Sequence, residues 1–324
     1  MNRSFPRPTI LVSSCLGFAP CRYDGGQLYS GIVDMLTGHV NCIDVCPEME
    51  AGFGVPRSSI RLCMDHEKME VWQPAQLRTV TRELQQAVDS LQTFFEKCDG
   101  AILKGKSPSC GLFDVKIYRE IENPQFLRRS SGVFGKAVLK AMAGKAVEDE
   151  QRLSNLVLRE HFFIKLYTWA RFRSIAEQGK MGDLISFHAA HKLLFLACSQ
   201  SRFRQCGRIV ANHGKLPSNE VYQLYTEQMG ETLKRPARRQ AMVNTLYHAH
   251  GWVSQHLAPR ERAYIVNTIE EYRDERIPLQ AVTRLIEAQA IRFDRGYLLN
   301  QVLFRPYPPE LADLSDSGKG REVQ

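Results

Sequence analysis

Apolar positions in the first 145 residues come in short unbroken runs, each ending in a turn rich in Gly, Pro or Ser. Residues 9–13 (TILVS), 40–45 and 100–103 (GAIL) have the length and density of buried parallel strands. Residues 76–97 have helical spacing instead, with Leu77, Val80, Leu84, Val88, Leu91 and Phe95 on one face, and 132–143 predicts a further helix. Strands alternating with helices predict an α/β domain with a mostly parallel sheet, whose ligands sit at the carboxyl ends of the strands. From about residue 150 the texture changes. Amphipathic stretches cover 150–178, 182–212, 217–231, 236–257, 259–273 and 278–292, separated by Gly and Pro breakers. The fold class is therefore an α/β N-terminal domain followed by an all-α C-terminal domain. The boundaries fall at 1–148 and 149–305, with a proline-rich tail over 306–324 that reads as disordered.

Charge divides the chain at nearly the same place. Residues 1–150 carry 18 basic and 18 acidic side chains, whereas 151–314 carry 23 and 15, so the net charge of +8 belongs to the second half. A neutral domain joined to a basic one suggests chemistry in the first and a polyanion partner for the second. No apolar run approaches the roughly 18 residues of a membrane span, and residues 10–12 are too short an apolar stretch for a secretory signal. The expected location is cytoplasmic, without a membrane partner.

In a reducing compartment nine cysteines point to metal binding, catalysis or packing rather than disulfides. Three segments stand out: SSCLGFAPCRYDGG (13–26), DVCPEMEAGFGVPR (44–57) and KGKSPSCGLFD (104–114), each following an apolar run. If those runs are neighbouring parallel strands, Cys15, Cys46 and Cys110 meet at one sheet edge. Their wide spacing matches neither the close CxxC pairs of zinc ribbons nor the tight cysteine run of bacterial ferredoxins. Spacing alone leaves a three-cysteine cluster site and ordinary loop cysteines both open.

The three segments, read as CLG…CRYDG, VCPE…G…PR and KSPSCG, resemble the signature of the thiouracil desulfidase family over about residues 9–145. The second half resembles a helical domain often fused to that one, most recognisably at SFHAAHKLLFLA (186–197), and fused chains of this kind resemble desulfidases acting on 4-thiouridine in tRNA. The resemblance implies a 4Fe–4S cluster held by Cys15, Cys46 and Cys110, with one iron open to a thione sulfur, and a hydrolytic reaction without net electron transfer. The first motif lacks one Leu and the second has GFG in place of paired glycines; neither departure touches a ligand. Desulfidation of free 2-thiouracil is the alternative, and an iron–sulfur regulator that binds nucleic acid is a second.

Around the cysteines, Glu48 is the candidate general base or acid, against a carboxylate that merely pairs with Arg57. Ser107 and Ser109 are candidates for relaying a proton, against serines that bond their own turn. Lys104, Tyr23 and Asp24 are candidate substrate contacts, and Lys106 a contact for a ring carbonyl or a phosphate. Cys21 and Cys42 are rival ligands ranked below the three. In the basic half, Arg202, Arg204 and Arg208, with Lys234, Arg235, Arg238 and Arg239, are the candidate RNA contacts; the second set crowds a helix start, where cations are disfavoured unless an anion is bound. His188 and His191 lie on one helix face and read as packing rather than as a metal pair. Thiolated tRNA is the expected partner, and no obligate protein partner is implied.

Overall fold

The computed structural model describes residues 4–121 and 124–316. In chain order the first elements are β1 (Thr9–Ser13), α1 (Gly31–Thr37), β2 (Asn41–Val45), α2 (Pro47–Glu50), β3 (Arg61–Asp65), β4 (Lys68–Gln73) and β5 (Arg78–Thr79). There follow α3 (Thr81–Leu91), β6 (Gly100–Leu103), β7 (Val115–Tyr118), β8 (Phe126–Ser130), α4 (Val133–Ala141) and β9 (Ala146–Asp149). The rest is helical: α5 (Leu156–Ala176), α6 (Met181–Cys198), α7 (Gln200–Ala211), α8 (Ser218–Thr232), α9 (Arg239–Ser254), α10 (Pro259–Arg273), α11 (Leu279–Arg292) and α12 (Gly296–Leu299). None of the described helices is long and apolar enough to cross a membrane.

The expected parallel sheet is present, in the order β2-β1-β6-β9. Ile10, Leu11 and Val12 of β1 are fully buried, as are Ala101, Ile102 and Leu103 of β6. Burial of each large aliphatic side chain contributes about 2 kcal/mol, so these two strands anchor the domain. Helix α3 packs Val88 and Leu91 against this core and turns Leu84 toward Leu62, Val71 and Ile117 instead, and α4 adds Phe134 and Val138 to the first core.

Two features depart from the sequence reading. A second sheet, ordered β5-β4-β3-β7-β8 and mostly antiparallel, stands beside the first. The helix expected from residue 76 starts at Thr81, because Leu77 takes a left-handed conformation after a 3-10 turn at Pro74–Gln76 and Arg78–Thr79 pairs with β4. Leu77 is consequently exposed rather than part of the buried face.

The chain divides into two compact units, one holding the described residues up to Ala170 with those from Glu310, the other Arg171–Pro309; the division falls within α5. In the second unit the stretch expected as one helix over 182–212 is two, α6 and α7, broken where Ser199 is extended. Its core joins Phe172, Phe187, Phe195 and Tyr225. The disorder expected from residue 306 does not extend over the described part of that tail. Pro309–Leu311 forms a 3-10 turn and Leu311 is fully buried. The tail beyond Asp316 lies outside the described residues.

Candidate functional site

Strands β1, β2 and β6 are adjacent and parallel, so their carboxyl ends share one edge, and each runs straight into one of the three cysteine segments. The buried Ser13 ties two of those ends together, its Oγ accepting the Lys104 backbone N–H at 2.9 Å. Beyond the edge lies a cavity of about 240 Å³ lined by Cys15, Cys21, Cys46 and Cys110. Glu48, Ser107, Ser109, Lys104 and Tyr23 line it too.

Local sequence explains the placement. Cys46 precedes α2 with an extended backbone, and Pro47 at the first helical position leaves Glu48 in the first turn, facing the cavity. In the SPSCG segment Ser107 Oγ accepts the backbone N–H groups of Ser109 (3.3 Å) and Cys110 (3.2 Å), which folds the loop around its own serine. The same loop is bound to α4: Pro108 O accepts the N–H of Val133, and Ser109 O those of Phe134 and Gly135, at 2.9–3.2 Å. Gly132 and Gly135 permit this approach, since a Cβ there would lie 2.5 Å from Ser109 O and 2.3 Å from Gly111 O respectively.

The polar side chains form one directed chain. Arg57 Nε donates to Glu48 Oε2 at 2.7 Å, and the same guanidinium donates to the carbonyls of Gly54 and Cys21, each at 2.9 Å. Ser109 Oγ donates to Glu48 Oε1 at 2.6 Å and stands 2.8 Å from Ser107 Oγ. A hydroxyl has one proton. As that of Ser109 goes to Glu48, Ser107 donates to Ser109, and the chain runs Ser107 to Ser109 to Glu48. The pairing with Arg57 and the turn-shaping serines are thus both real, and both coexist with a place in the cavity.

Burial, then the neighbouring Cys46 thiol, pushes the Cys15 thiol up to about 11 and that of Cys21 up to about 12. Cys110, buried, is raised well above the ordinary thiol range, again chiefly by burial. Thiols so placed keep their protons unless a cation compensates the thiolates. Among the described residues no group of three His, Cys, Asp or Glu side chains is arranged to hold a single metal ion. The donors of a multinuclear cluster each hold a separate iron and need no such convergence. A set of soft thiols around one cavity therefore fits an iron–sulfur group by its chemistry.

Other candidates are placed differently. Lys104 lines the cavity, but its ammonium is paired with Glu150 at 2.6 Å. Asp24 does not line it; its carboxylate accepts the Gly26 N–H at 3.0 Å and pairs with Arg22, shaping the turn. Cys42 lies outside the cavity, whereas Cys21 stands within it beside the chosen three. Sequence reasoning missed Glu150, whose Oε2 also accepts the Gly105 N–H at 2.7 Å, and gave Arg57 no orienting part. Arg57 was signalled by its place in the second motif; nothing in sequence marks Glu150.

In the second unit the two basic segments meet: Arg202 and Lys234 both pair with Glu231, at 3.1 and 3.3 Å. Arg239 pairs with Glu275 and lies over the Tyr272 ring. Arg204, Arg208, Arg235 and Arg238 are exposed, with no acidic partner among the described residues. His188 bonds the Tyr225 hydroxyl at 3.0 Å and His191 the Phe187 carbonyl at 2.7 Å, inside the core, as packing histidines do.

The parallel sheet thus carries thiols and a hydrogen-bonded carboxylate at its carboxyl edge, and comparison with known proteins gives the class. The family model described as 2-thiouracil desulfurase matches residues 10–150, and the chain belongs to that family. A second model, described as a protein of unknown function (DUF1722), matches residues 192–308. The uncharacterized protein YbbK of Bacillus subtilis (strain 168) is 32% identical over 109 residues, covering 32% of this chain and 72% of YbbK. The uncharacterized protein YbgA of Escherichia coli (strain K12) is 28% identical over 157 residues, 48% of this chain and 92% of YbgA. The solved structure of the [4Fe-4S]-dependent thiouracil desulfidase TudS is 26% identical, with a TM-score of 0.37, over 45% of this chain and 93% of that one.

Proposed function

We propose that the chain is a desulfidase that replaces the sulfur of a thiolated uracil by oxygen, with thiolated tRNA, 4-thiouridine in particular, as its substrate. Membership of the 2-thiouracil desulfurase family supports the chemistry. The observation that carries the reading is the relay from Ser107 through Ser109 to an Arg57-held carboxylate, ending in the cavity that the cysteines line.

Cys15, Cys46 and Cys110 are the proposed ligands of a 4Fe–4S cluster. When bound, it supplies an iron without a protein ligand, a soft site suited to a thione sulfur. The protein's own groups do the rest. Glu48, fixed by Arg57, takes a proton from the water that attacks the thiocarbonyl carbon, and the two serines keep its other oxygen occupied and oriented. Lys104, neutralised by Glu150, shapes the wall, and Tyr23, half-exposed at the mouth, offers a ring against which the pyrimidine stacks. The balance is one water consumed, one carbonyl formed and one hydrogen sulfide released, with no electrons transferred. The basic helical unit, with four exposed arginines lacking acidic partners among the described residues, supports an RNA partner over an uncharged one.

Free 2-thiouracil is the second reading, favoured by the small size of the cavity. Incubating the anaerobically reconstituted protein with thiolated tRNA and, separately, with free thiouracil divides the two. Loss of sulfur from the free base alone removes the RNA assignment; loss from neither removes the desulfidase.

A further inference from the structure

Beside the catalytic cavity lies a larger one, about 870 Å³, in the same unit. The two share Ile60, Lys106 and Pro108 along their common rim. Five cations line the larger space, Arg61, Lys106, Lys116, Arg129 and Arg152, against one carboxylate, Asp114. Asp114 pairs with Arg129 at 3.3 Å, and Glu148 pairs with Arg152 at 2.7 Å. Arg61 donates to the Ile121 carbonyl and lies over the Tyr118 ring. Lys106 and Lys116 are exposed and have no acidic partner among the described residues.

Two details mark this as more than a solvated basic face. Lys116 of β7 and Arg129 of β8 are directly opposed in the antiparallel ladder, so two like charges face each other on one side of the sheet. Such a pair is destabilising on its own; Asp114 offsets Arg129 but leaves Lys116 uncompensated among the described residues, and an anion reaching both cations supplies the missing charge. Lys106 adopts a left-handed backbone (φ 62°), unusual for a residue with a side chain, at the point where the two cavities meet. Phe113, exposed at 42%, and Tyr118 add ring surface to the same lining, with the Arg152 guanidinium over Phe113.

We infer that this groove is the path of the RNA backbone on entry to the active site: the phosphates flanking the thiolated nucleotide run along Lys106, Lys116 and Arg129, and a neighbouring base stacks on Phe113. The inference rests on the proposed desulfidase reading for the identity of the RNA, and assigns to the catalytic unit itself a share of the binding that overall charge alone gives to the helical half. Aromatic faces interleaved with cations are what a single strand splayed out of its helix requires. A free base, having no phosphate, gains nothing from the groove.

The test uses the full-length, cluster-loaded protein with a fluorescent thiolated tRNA, and free 4-thiouridine as the small substrate. The double variant Lys116→Ala/Arg129→Ala is expected to bind the RNA about tenfold more weakly near physiological salt. Its log-log salt dependence should be shallower by about two, one for each lost phosphate contact. Turnover of 4-thiouridine stays at the wild-type value. Lys116→Glu separates binding from folding, because it turns the like-charged pair into an attractive one; the melting temperature holds or rises while RNA affinity falls. RNA affinity and salt slope unchanged in both variants overturn the inference, whatever the activity. Weakened RNA binding alongside a wild type that removes sulfur from neither substrate sustains the groove and sinks the desulfidase reading instead.

Discussion

Both units bury ionisable side chains, but they bury them to opposite ends. In the helical unit His188 and His191 turn inward, bonded to a tyrosine hydroxyl and a backbone carbonyl among stacked rings. In the α/β unit Glu48, Ser107, Ser109 and Arg57 bond one another and line open space, with thiols alongside. Satisfaction by packing groups marks structure, whereas satisfaction within a polar chain that faces a cavity marks chemistry. The difference teaches which buried polar residue to suspect, and residue type alone does not reveal it.

The sharpest way to break that contrast is to remove a thiol. Cys46→Ala or Cys110→Ala is expected to abolish both iron content and sulfide release in anaerobic preparations, while Cys206→Ala, whose thiol faces Thr232 in the helical core, keeps both. Next in size is Glu48→Gln, which leaves the volume intact and removes the proposed base; kcat should fall by about 10²–10⁴-fold with iron content unchanged. His191→Leu, by contrast, should leave turnover at the wild-type level, and equal losses in the two variants would erase the distinction.

Acidification probes the histidines directly. Burial, followed by the Lys192 charge, lowers His188 to about 4; burial, followed by the Arg171 charge, lowers His191 to about 3. An unfolded histidine titrates near 6.5. Above that pH both states are neutral and nothing changes. As pH falls below it the unfolded chain takes up protons first, so stability is lost progressively toward the folded values, by about 2 kcal/mol per histidine at pH 5. Hydrogen exchange in α6 compared at pH 7 and pH 5 measures it, and equal protection at the two would contradict the burial argument. Smaller again is Ser107→Ala, which deprives Ser109 of its donor and should cost about tenfold in kcat, with little change in KM. Lys234→Ala is the mildest: with Glu231 already shared, tRNA binding should lose less than about one in salt slope.

The parallel sheet and the meeting of three cysteine loops were legible because each cysteine segment follows a short apolar run that forms a strand, and parallel strands in α/β proteins deliver their loops to one edge; β2, at the sheet's margin, buries only Val45. The second sheet was not, for a physical reason. Strand β8 (FLRRS) has no fully buried residue and β5 has two residues, so neither shows the alternation that betrays a half-buried strand. Leu77 suited a helical face by spacing, yet the turn after Pro74 placed it outside. The serines could be named from sequence, but the direction of their proton chain depends on Glu48 and Ser109, 61 residues apart, coming within 2.6 Å. The break at Ser199, whose extended backbone ends α6 and starts α7, falls in the short polar run Ser199–Ser201, a local change that apolar spacing does not register.

The two glycines that let α4 press on the SPSCG loop set a rule for anyone who would move this chemistry elsewhere. Grafting the three cysteine segments onto a foreign α/β scaffold would transfer the donors yet leave Cys110 unmoored, because its loop takes its shape from a helix more than twenty residues downstream. The smallest portable unit therefore runs at least from β1 through α4, and a library that varies Gly132 or Gly135 will return mostly inactive clones even though neither residue lines the cavity.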